Sequence, residues 1–146
     1  MAITFDGAFT VKQDKEKVFA FLTDPDRFCP LLPDYQSHTI EDATHFSIKV
    51  KVGISHIRGI AALKLELAEA NEPQRAVYQG KGSVAGGNVT VTARFDLSDT
   101  ADGTKVAWKG EAQIFGRLTS IAGGLLEPLG RKSVQKLIDG LQAAMA

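Results

Sequence analysis

The sequence lacks several features that mark extracellular and membrane-spanning proteins. Cys29 is the only cysteine among 146 residues, so a disulfide within the chain is impossible and a reducing compartment is the default. No apolar run approaches the roughly 20 residues that a spanning helix needs. The first residues have neither the basic start nor the apolar stretch of a secretory signal. We therefore expect a cytoplasmic protein.

The chain also has no net charge, because its seventeen basic residues balance its seventeen acidic residues. This balance argues against nucleic acid, or an anionic membrane, as a partner attracted by charge. Hydrophobic residues make up 44% and charged residues 23% of the chain, which is typical of globular proteins. The length fits one domain spanning residues 1–146.

Alternating apolar and polar residues predict an antiparallel sheet with one buried face. The first strand covers residues 3–11, and about six more strands follow between residues 35 and 115. Two short helices separate the first strand from the rest, with Asp14 and Asp24 as N-caps. Residues 116–141 predict one long helix, which is the only element long enough to cover the apolar face of the sheet.

The long helix contains residues that form helices poorly, including Pro128 and four glycines. Its apolar residues fall into two sets that face different directions. The first set is Leu118, Ile121, Ala122, Leu125 and Leu129, and the second is Val134, Leu137, Ile138, Leu141 and Met145. We predict that the helix bends at Pro128. The first half would then line a pocket, and the second half would pack on the sheet and the short helices.

Five stretches of the chain carry a resemblance to a known family. They are FAFLTDPDRF (19–28), the turn at Pro33, KVKVG (49–53) with Gly59 after it, GTKVAW (103–108) and FGRLTSIAG (115–123). In this order and spacing the chain resembles the helix-grip (START/polyketide-cyclase-like) superfamily, and within it the family of the carbon monoxide dehydrogenase G subunit. The family usually has Pro-Gly where this chain has Pro33-Asp34.

The resemblance implies an α+β fold, in which a curved antiparallel sheet of about seven strands wraps around a long C-terminal helix. It also implies a cavity for a hydrophobic ligand, and for some members it suggests a quinone. The implied role lies beside molybdenum-containing carbon monoxide dehydrogenase-type enzymes, with peripheral contact at the inner face of the cell membrane.

The predicted inner faces of the strands are uncharged and rich in small residues. Such faces have two interpretations: the helix packs very close to the sheet, or a cavity remains. The resemblance favours the cavity. The predicted lining is Phe9, Phe46, Ile48, Val50, Gly59, Ala61, Leu63, Tyr78, Val91, Ala93, Trp108, Gly110, Ala112, Leu118, Ile121, Ala122 and Leu125. Tyr78 and Trp108 suit stacking on a flat ligand and core packing equally well.

Successive turns of an antiparallel meander alternate between the two ends of the sheet, and one end collects apolar, glycine-rich turns. We predict a pocket mouth there. Its residues are Leu31, Leu32, Ile54, Ile57, Val84 and Arg117. The alternative is a hydrophobic plug that closes the domain.

The sequence predicts no catalytic residues, metal site or cofactor. Cys29 has no visible His/Asn partners, and His38, His45 and His56 lack the spacing of metal ligands. We therefore expect a non-catalytic protein that binds an apolar small molecule, such as a quinone or a lipid, as an accessory or membrane-docking subunit. The alternatives are a polyketide cyclase-like enzyme and an assembly factor. The oligomeric state stays open, with a homodimer among the options.

Overall fold

A computed structural model describes residues 1–54, 57–84 and 86–146 of the chain. Within these ranges the side chains at positions 54, 57, 118 and 120–123 are not described. Six residues discussed above therefore lie outside the described residues or side chains. They are Ile54, Ile57, Leu118, Ile121, Ala122 and His56.

The helices and strands follow the predicted order. The first strand and the short helices are β1 (Ala2–Val11), α1 (Lys15–Leu22), α2 (Pro25–Phe28) and a 3-10 turn (Cys29–Leu31). The other strands are β2 (Tyr35–Ile40), β3 (His45–Ile54), β4 (Ile57–Asn71), β5 (Arg75–Val84), β6 (Gly87–Thr100) and β7 (Gly103–Gly116). The long C-terminal helix is α3 (Arg117–Ala144).

The seven strands form one sheet in the order β1-β7-β6-β5-β4-β3-β2. All neighbouring strands are antiparallel. Because β1 and β2 are at opposite edges, the chain crosses the width of the sheet through α1, α2 and the 3-10 turn. The predicted α+β fold, with its curved sheet, long C-terminal helix and two short helices, is confirmed.

Local sequence explains where the short helices begin and how β2 is reached. The Asp14 side chain accepts a hydrogen bond from the Lys17 N–H at 2.9 Å, and the Asp24 side chain caps α2. Asp34 has a φ of 57°, a left-handed conformation that glycine and aspartate tolerate better than most residues. The aspartate therefore adopts a conformation that suits the glycine usual in the resembled family.

Two glycines of the inner face allow β4 and β5 to approach closely. A Cβ atom on Gly82 would overlap the Ala62 carbonyl oxygen, and one on Gly80 would overlap the Leu65 side chain. No larger residue fits at Gly82 without moving the backbone. At these positions, small residues serve contact between neighbouring strands, and they bear neither on helix packing nor on a cavity.

Two groups of residues on α3 face the sheet along the described part of the helix. Leu126, Ile138, Leu141 and Met145 are buried, and a Cβ on Gly130 would lie 3.1 Å from the Phe5 ring. Leu126 and Gly130 are four residues apart and share one face, and Ile138, Leu141 and Met145, three or four residues apart, share another.

The first of these faces corrects the prediction for Leu125, which is 48% exposed, while Leu126 is 6% exposed. Adjacent helical residues point about 100° apart. The rotation of α3 therefore determines which of the two leucines is buried. That rotation is set by the second half of the helix, where Ile138, Leu141 and Met145 pack with α1, β1, β6 and β7.

Candidate functional site

The inner face of the sheet borders open space midway along β7. A Cβ atom on Gly110 would meet no other atom within 4 Å. Gly110 pairs with Phe5 on one side and Ala93 on the other, and all three residues are only partly buried. The neighbouring pair of Val91 and Ala112 is also partly buried. The helix therefore does not close onto β6 and β7 at this level.

The packed clusters lie on either side of this open space. One joins α1 and the end of α3 to β1, β6 and β7. A second contains Ile3, Ala61, Val84, Ile114 and Leu126. A third contains Cys29, Phe46, Ile48 and Tyr78. Gly110, Val91 and Ala112 belong to none of them.

The described side chains of the predicted lining set divide into three groups. Five are buried in the packed clusters: Phe9, Phe46, Ile48, Ala61 and Tyr78. Seven are partly buried: Val50, Leu63, Val91, Ala93, Trp108, Gly110 and Ala112. Gly59 and Leu125 are exposed. Five of these seven lie on β6 and β7 beside the open space, whereas Val50 and Leu63 lie on β3 and β4, away from it.

Tyr78 belongs to the core. Its hydroxyl donates a hydrogen bond to the Leu22 carbonyl at 2.7 Å, and its ring packs edge-on against Phe28 and Phe46. Burial raises the pKa of the Tyr78 phenol, and the neighbouring Cys29 and Asp24 raise it further. Of the two interpretations of this residue, the structure supports core packing.

Trp108 lies between the core and the open space. A Cβ on Gly7 would lie 2.8 Å from the Trp108 ring, so the glycine makes room for the indole. The indole Nε1 is buried and has no hydrogen-bond partner among the described residues. The side chain as a whole is partly buried, two residues along β7 from Gly110, and it stays a candidate for contact with a ligand.

Cys29 is the one thiol of the chain, and it is 0% exposed. Burial, with a smaller contribution from Asp26, raises its pKa to about 12. At neutral pH the thiol is protonated and does not act as a nucleophile. Within the ranges that the structure describes, no group of three His, Cys, Asp or Glu side chains is arranged to hold a metal ion.

A polar network at the β2 edge was missed by the sequence analysis. The His38 Nδ1 lies 2.5 Å from the Tyr35 hydroxyl, and its Nε2 lies 2.7 Å from an Asp26 carboxylate oxygen. The carboxylate can only accept, so a neutral imidazole would donate from Nε2 and accept the Tyr35 proton at Nδ1. Tyr35 and His38 are an odd number apart, so regular alternation predicts opposite faces. A register shift between Tyr35 and Ser37 brings them together.

The described members of the predicted mouth do not all lie together. Val84 and Arg117 are at one end of the sheet, since Val84 pairs with Gly87 and Gly87 pairs with Gly116, whereas Leu31 and Leu32 lie elsewhere. Leu31 lies against Gly140. The Cβ atom of Leu31 is 3.6 Å from the place that a Cβ atom on Gly140 would occupy. Arg117 starts the same helix, about 35 Å away at 1.5 Å per residue. Leu32 packs beside the cluster of Cys29. Val84, at 8% exposure, belongs to the buried cluster with Leu126.

The reason lies in the position of β2. Its first residue, Tyr35, pairs with Val50 rather than with the end of β3. The segment before β2 therefore reaches the middle of the sheet, not its end. Val84 itself is buried rather than accessible at the surface. Among the described helices, none is both long enough and apolar enough to cross a bilayer.

Comparisons with known proteins agree with this architecture. The sequence profile of CoxG, the family described as the G subunit of carbon monoxide dehydrogenase, matches residues 7–146. A conserved protein from Geobacillus kaustophilus has a similar structure, with a TM-score of 0.84 and 17% identity over 98% of this chain and 95% of that one. Among curated proteins, none is significantly similar in sequence.

Two further similar structures are named aromatase/cyclases. Zhui from Streptomyces sp. R1128 has a TM-score of 0.73 and 11% identity, over 99% of this chain and 94% of that one. The di-domain StfQ of the steffimycin biosynthetic pathway has a TM-score of 0.65 and 9% identity, over 99% of this chain and 51% of that one. At these identities the similarity shows a shared fold.

Proposed function

The chain belongs to the carbon monoxide dehydrogenase CoxG family, and from this premise we propose that it is a non-catalytic binding protein for an apolar small molecule. The observation that carries the proposal is the open space at Gly110, where an added Cβ would meet nothing within 4 Å. A close-packed core has no such position in the middle of a strand.

The side chains around Gly110 favour an apolar ligand. Phe5, Val91 and Ala112 offer only hydrocarbon, and each is still partly accessible to solvent. Burial of apolar surface contributes about 25 cal/mol per Å². A ring system that covers about 200 Å² of such surface would gain about 5 kcal/mol before the entropic cost of association. A quinone or a lipid chain meets this requirement.

The proposed role is that of an accessory or membrane-docking subunit of a carbon monoxide dehydrogenase-type molybdenum enzyme, in the cytoplasm. Quinones and lipids are held in bilayers, so the role includes peripheral contact with the inner face of the cell membrane. Binding that rests on apolar contact alone is reversible when the buried area is small. This suits a carrier that has to release its ligand.

Native mass spectrometry of the protein purified from its own host tests the proposal. We expect a non-covalent adduct that organic extraction identifies as a quinone or a lipid, and binding of decylubiquinone or hexadecanoic acid by the emptied protein. Absence of an adduct, together with no binding of either probe, would contradict the carrier role. Co-purification with the subunits of the enzyme in that case would support an assembly factor.

A cyclase-like enzyme is the second candidate, and the network of Tyr35, His38 and Asp26 is the observation that favours it. An imidazole oriented by a carboxylate, with a phenol proton on its other nitrogen, is suited to general acid–base catalysis. However, the Asp26 side chain is 69% exposed, which weakens its hold on the imidazole.

Product analysis by mass spectrometry after incubation with a linear poly-β-ketone distinguishes the two candidates. Turnover by the wild type that is lost in Tyr35→Phe would support the cyclase. If neither protein turns the substrate over while both bind decylubiquinone, the carrier role is supported.

A further inference from the structure

The outer face of the sheet carries positive charge that the fold itself does not neutralise. Lys49, Lys64 and Lys81 are exposed there on three neighbouring strands. Lys64 stands directly opposite Lys81 in the ladder of β4 and β5. Within the part of the chain that the structure describes, none of these three lysines has a carboxylate within 4.0 Å. Like charges placed opposite each other destabilise a sheet.

The three lysines surround a shallow trough of about 640 Å³. Its floor is formed by small side chains, with Ala62 opposite Ser83 in the ladder. Hydroxyl groups of Ser47, Ser83 and Thr90 also line it. The trough therefore offers cations and hydrogen-bond donors around a floor that an extended chain can reach.

Two large apolar side chains lie on the same face as the trough. Ile60 is 52% exposed and Phe115 is 48% exposed. Ile60 pairs with Lys51 in β3, and Phe115 pairs with Asn88, which lines the trough. Exposed apolar residues beside a polar, charged groove are the composition of a protein–protein interface.

We propose that this trough is a docking surface for an acidic segment of a protein partner. Carboxylates of the partner would pair with Lys49, Lys64 and Lys81 and relieve the repulsion between the last two. Apolar side chains of the same segment would contact Ile60 and Phe115. The trough lies on the opposite face of the sheet from Gly110, so a docked partner does not compete with a molecule bound there.

The shape and the charge boundary favour a protein segment over a membrane or a nucleic acid. The trough is a depression in the surface, and a flat bilayer does not fill it. The basic area ends on one side, because Glu66 and Glu111 lie on the same face one row further along the sheet, and on the other side it extends only to Lys51 and Arg58. A duplex needs a longer basic stripe than these few cations.

Fluorescence anisotropy with a labelled octaglutamate peptide tests the proposal, at about 50 mM and about 300 mM salt. We compare the wild type with a variant that combines Lys49→Gln, Lys64→Gln and Lys81→Gln. We expect about eightfold weaker binding at low salt, since an exposed ion pair is worth about twofold. The matched control combines Lys12→Gln, Lys105→Gln and Lys109→Gln, which change the net charge equally at exposed sites elsewhere. It should bind within about twofold of the wild type.

Three results would overturn the proposal. In the first, the wild type does not bind the peptide at low salt. In the second, the two triple variants weaken peptide binding equally. In the third, the wild type binds vesicles of phosphatidylglycerol or a DNA duplex through these lysines more tightly than it binds the peptide. Circular dichroism melts of both variants show that the fold is retained. A Gly110→Leu variant should bind the peptide as the wild type does, which separates this surface from the pocket.

Discussion

Replacing Gly110 with leucine tests the open space directly. The new Cβ would meet no atom within 4 Å, and the strand pairs of Gly110 with Phe5 and Ala93 do not depend on its side chain. A glycine in the middle of a strand costs about 0.5–1 kcal/mol relative to alanine. We therefore expect Gly110→Leu to fold with a stability equal to or above that of the wild type.

The same change should reduce ligand binding strongly. The leucine side chain adds four carbon atoms to the space, and each buried methylene contact of a ligand is worth about 0.8 kcal/mol. A ligand displaced from that volume loses about 3 kcal/mol, which is about two orders of magnitude in Kd. Binding of the neutral fluorescent probe N-phenyl-1-naphthylamine, followed by displacement with decylubiquinone, measures the effect.

Gly53→Leu is the matched control. A Cβ on Gly53 would also meet nothing within 4 Å, but Gly53 is exposed and follows the inward-facing Val52 in β3. This variant should bind the probe as the wild type does.

Two outcomes would refute the reasoning. If Gly110→Leu unfolds at a lower urea concentration than the wild type, the space is smaller than the structure indicates. If the variant is stable and binds the probe with unchanged affinity, the ligand site is elsewhere.

Three further predictions concern stability and pH. Gly82→Ala should destabilise the fold by about 1–3 kcal/mol in urea denaturation, because its Cβ overlaps a backbone oxygen; an unchanged midpoint would contradict the close approach of β4 and β5. Tyr78→Phe should cost about 1–3 kcal/mol, because it leaves a buried carbonyl without its donor; a neutral result would place that carbonyl in contact with water. Hydrogen bonds from the Thr44 backbone and then the His45 side chain lower the pKa of Asp42 to about 2, and Asp42 in turn raises the pKa of His45. The stability that Asp42 contributes is therefore fully present at a pH above the ordinary pKa of aspartate, and it is lost as the pH falls towards 2. The stability that His45 contributes is present at a pH below about 6.5, and it is lost as the pH rises through the raised pKa of His45. In NMR titration, Asp42→Asn should lower the pKa of His45, and an unchanged value would refute the pairing.

The strands and helix starts were predictable because they depend on residues close in sequence. Alternation with a period of two assigns Val91, Ala93 and Gly110 to the inner face, and the register confirms that assignment. Asp14 and Asp24 cap α1 and α2, as side chains able to accept a backbone N–H do. An uncharged inner face was visible in the same pattern.

The candidate site was only partly predictable, because packing distances decide it. Gly82 and Gly110 are both inner-face glycines, yet the first allows two strands to touch and the second borders open space. The sequence contains no signal that separates them. The network of Tyr35 and His38 depends on an irregular strand pairing, which strict alternation does not predict.

The sequence by itself therefore determined the order of elements, the inner and outer faces of the sheet and the family resemblance, because each follows from local periodicity, capping residues or short motifs. Only the tertiary structure decided that Leu126 rather than Leu125 is buried, and that Leu31 lies against Gly140 instead of beside Arg117. Both outcomes depend on how α3 is rotated and seated across the sheet. The summed packing of its second half sets that position, through contacts between residues far apart in the chain.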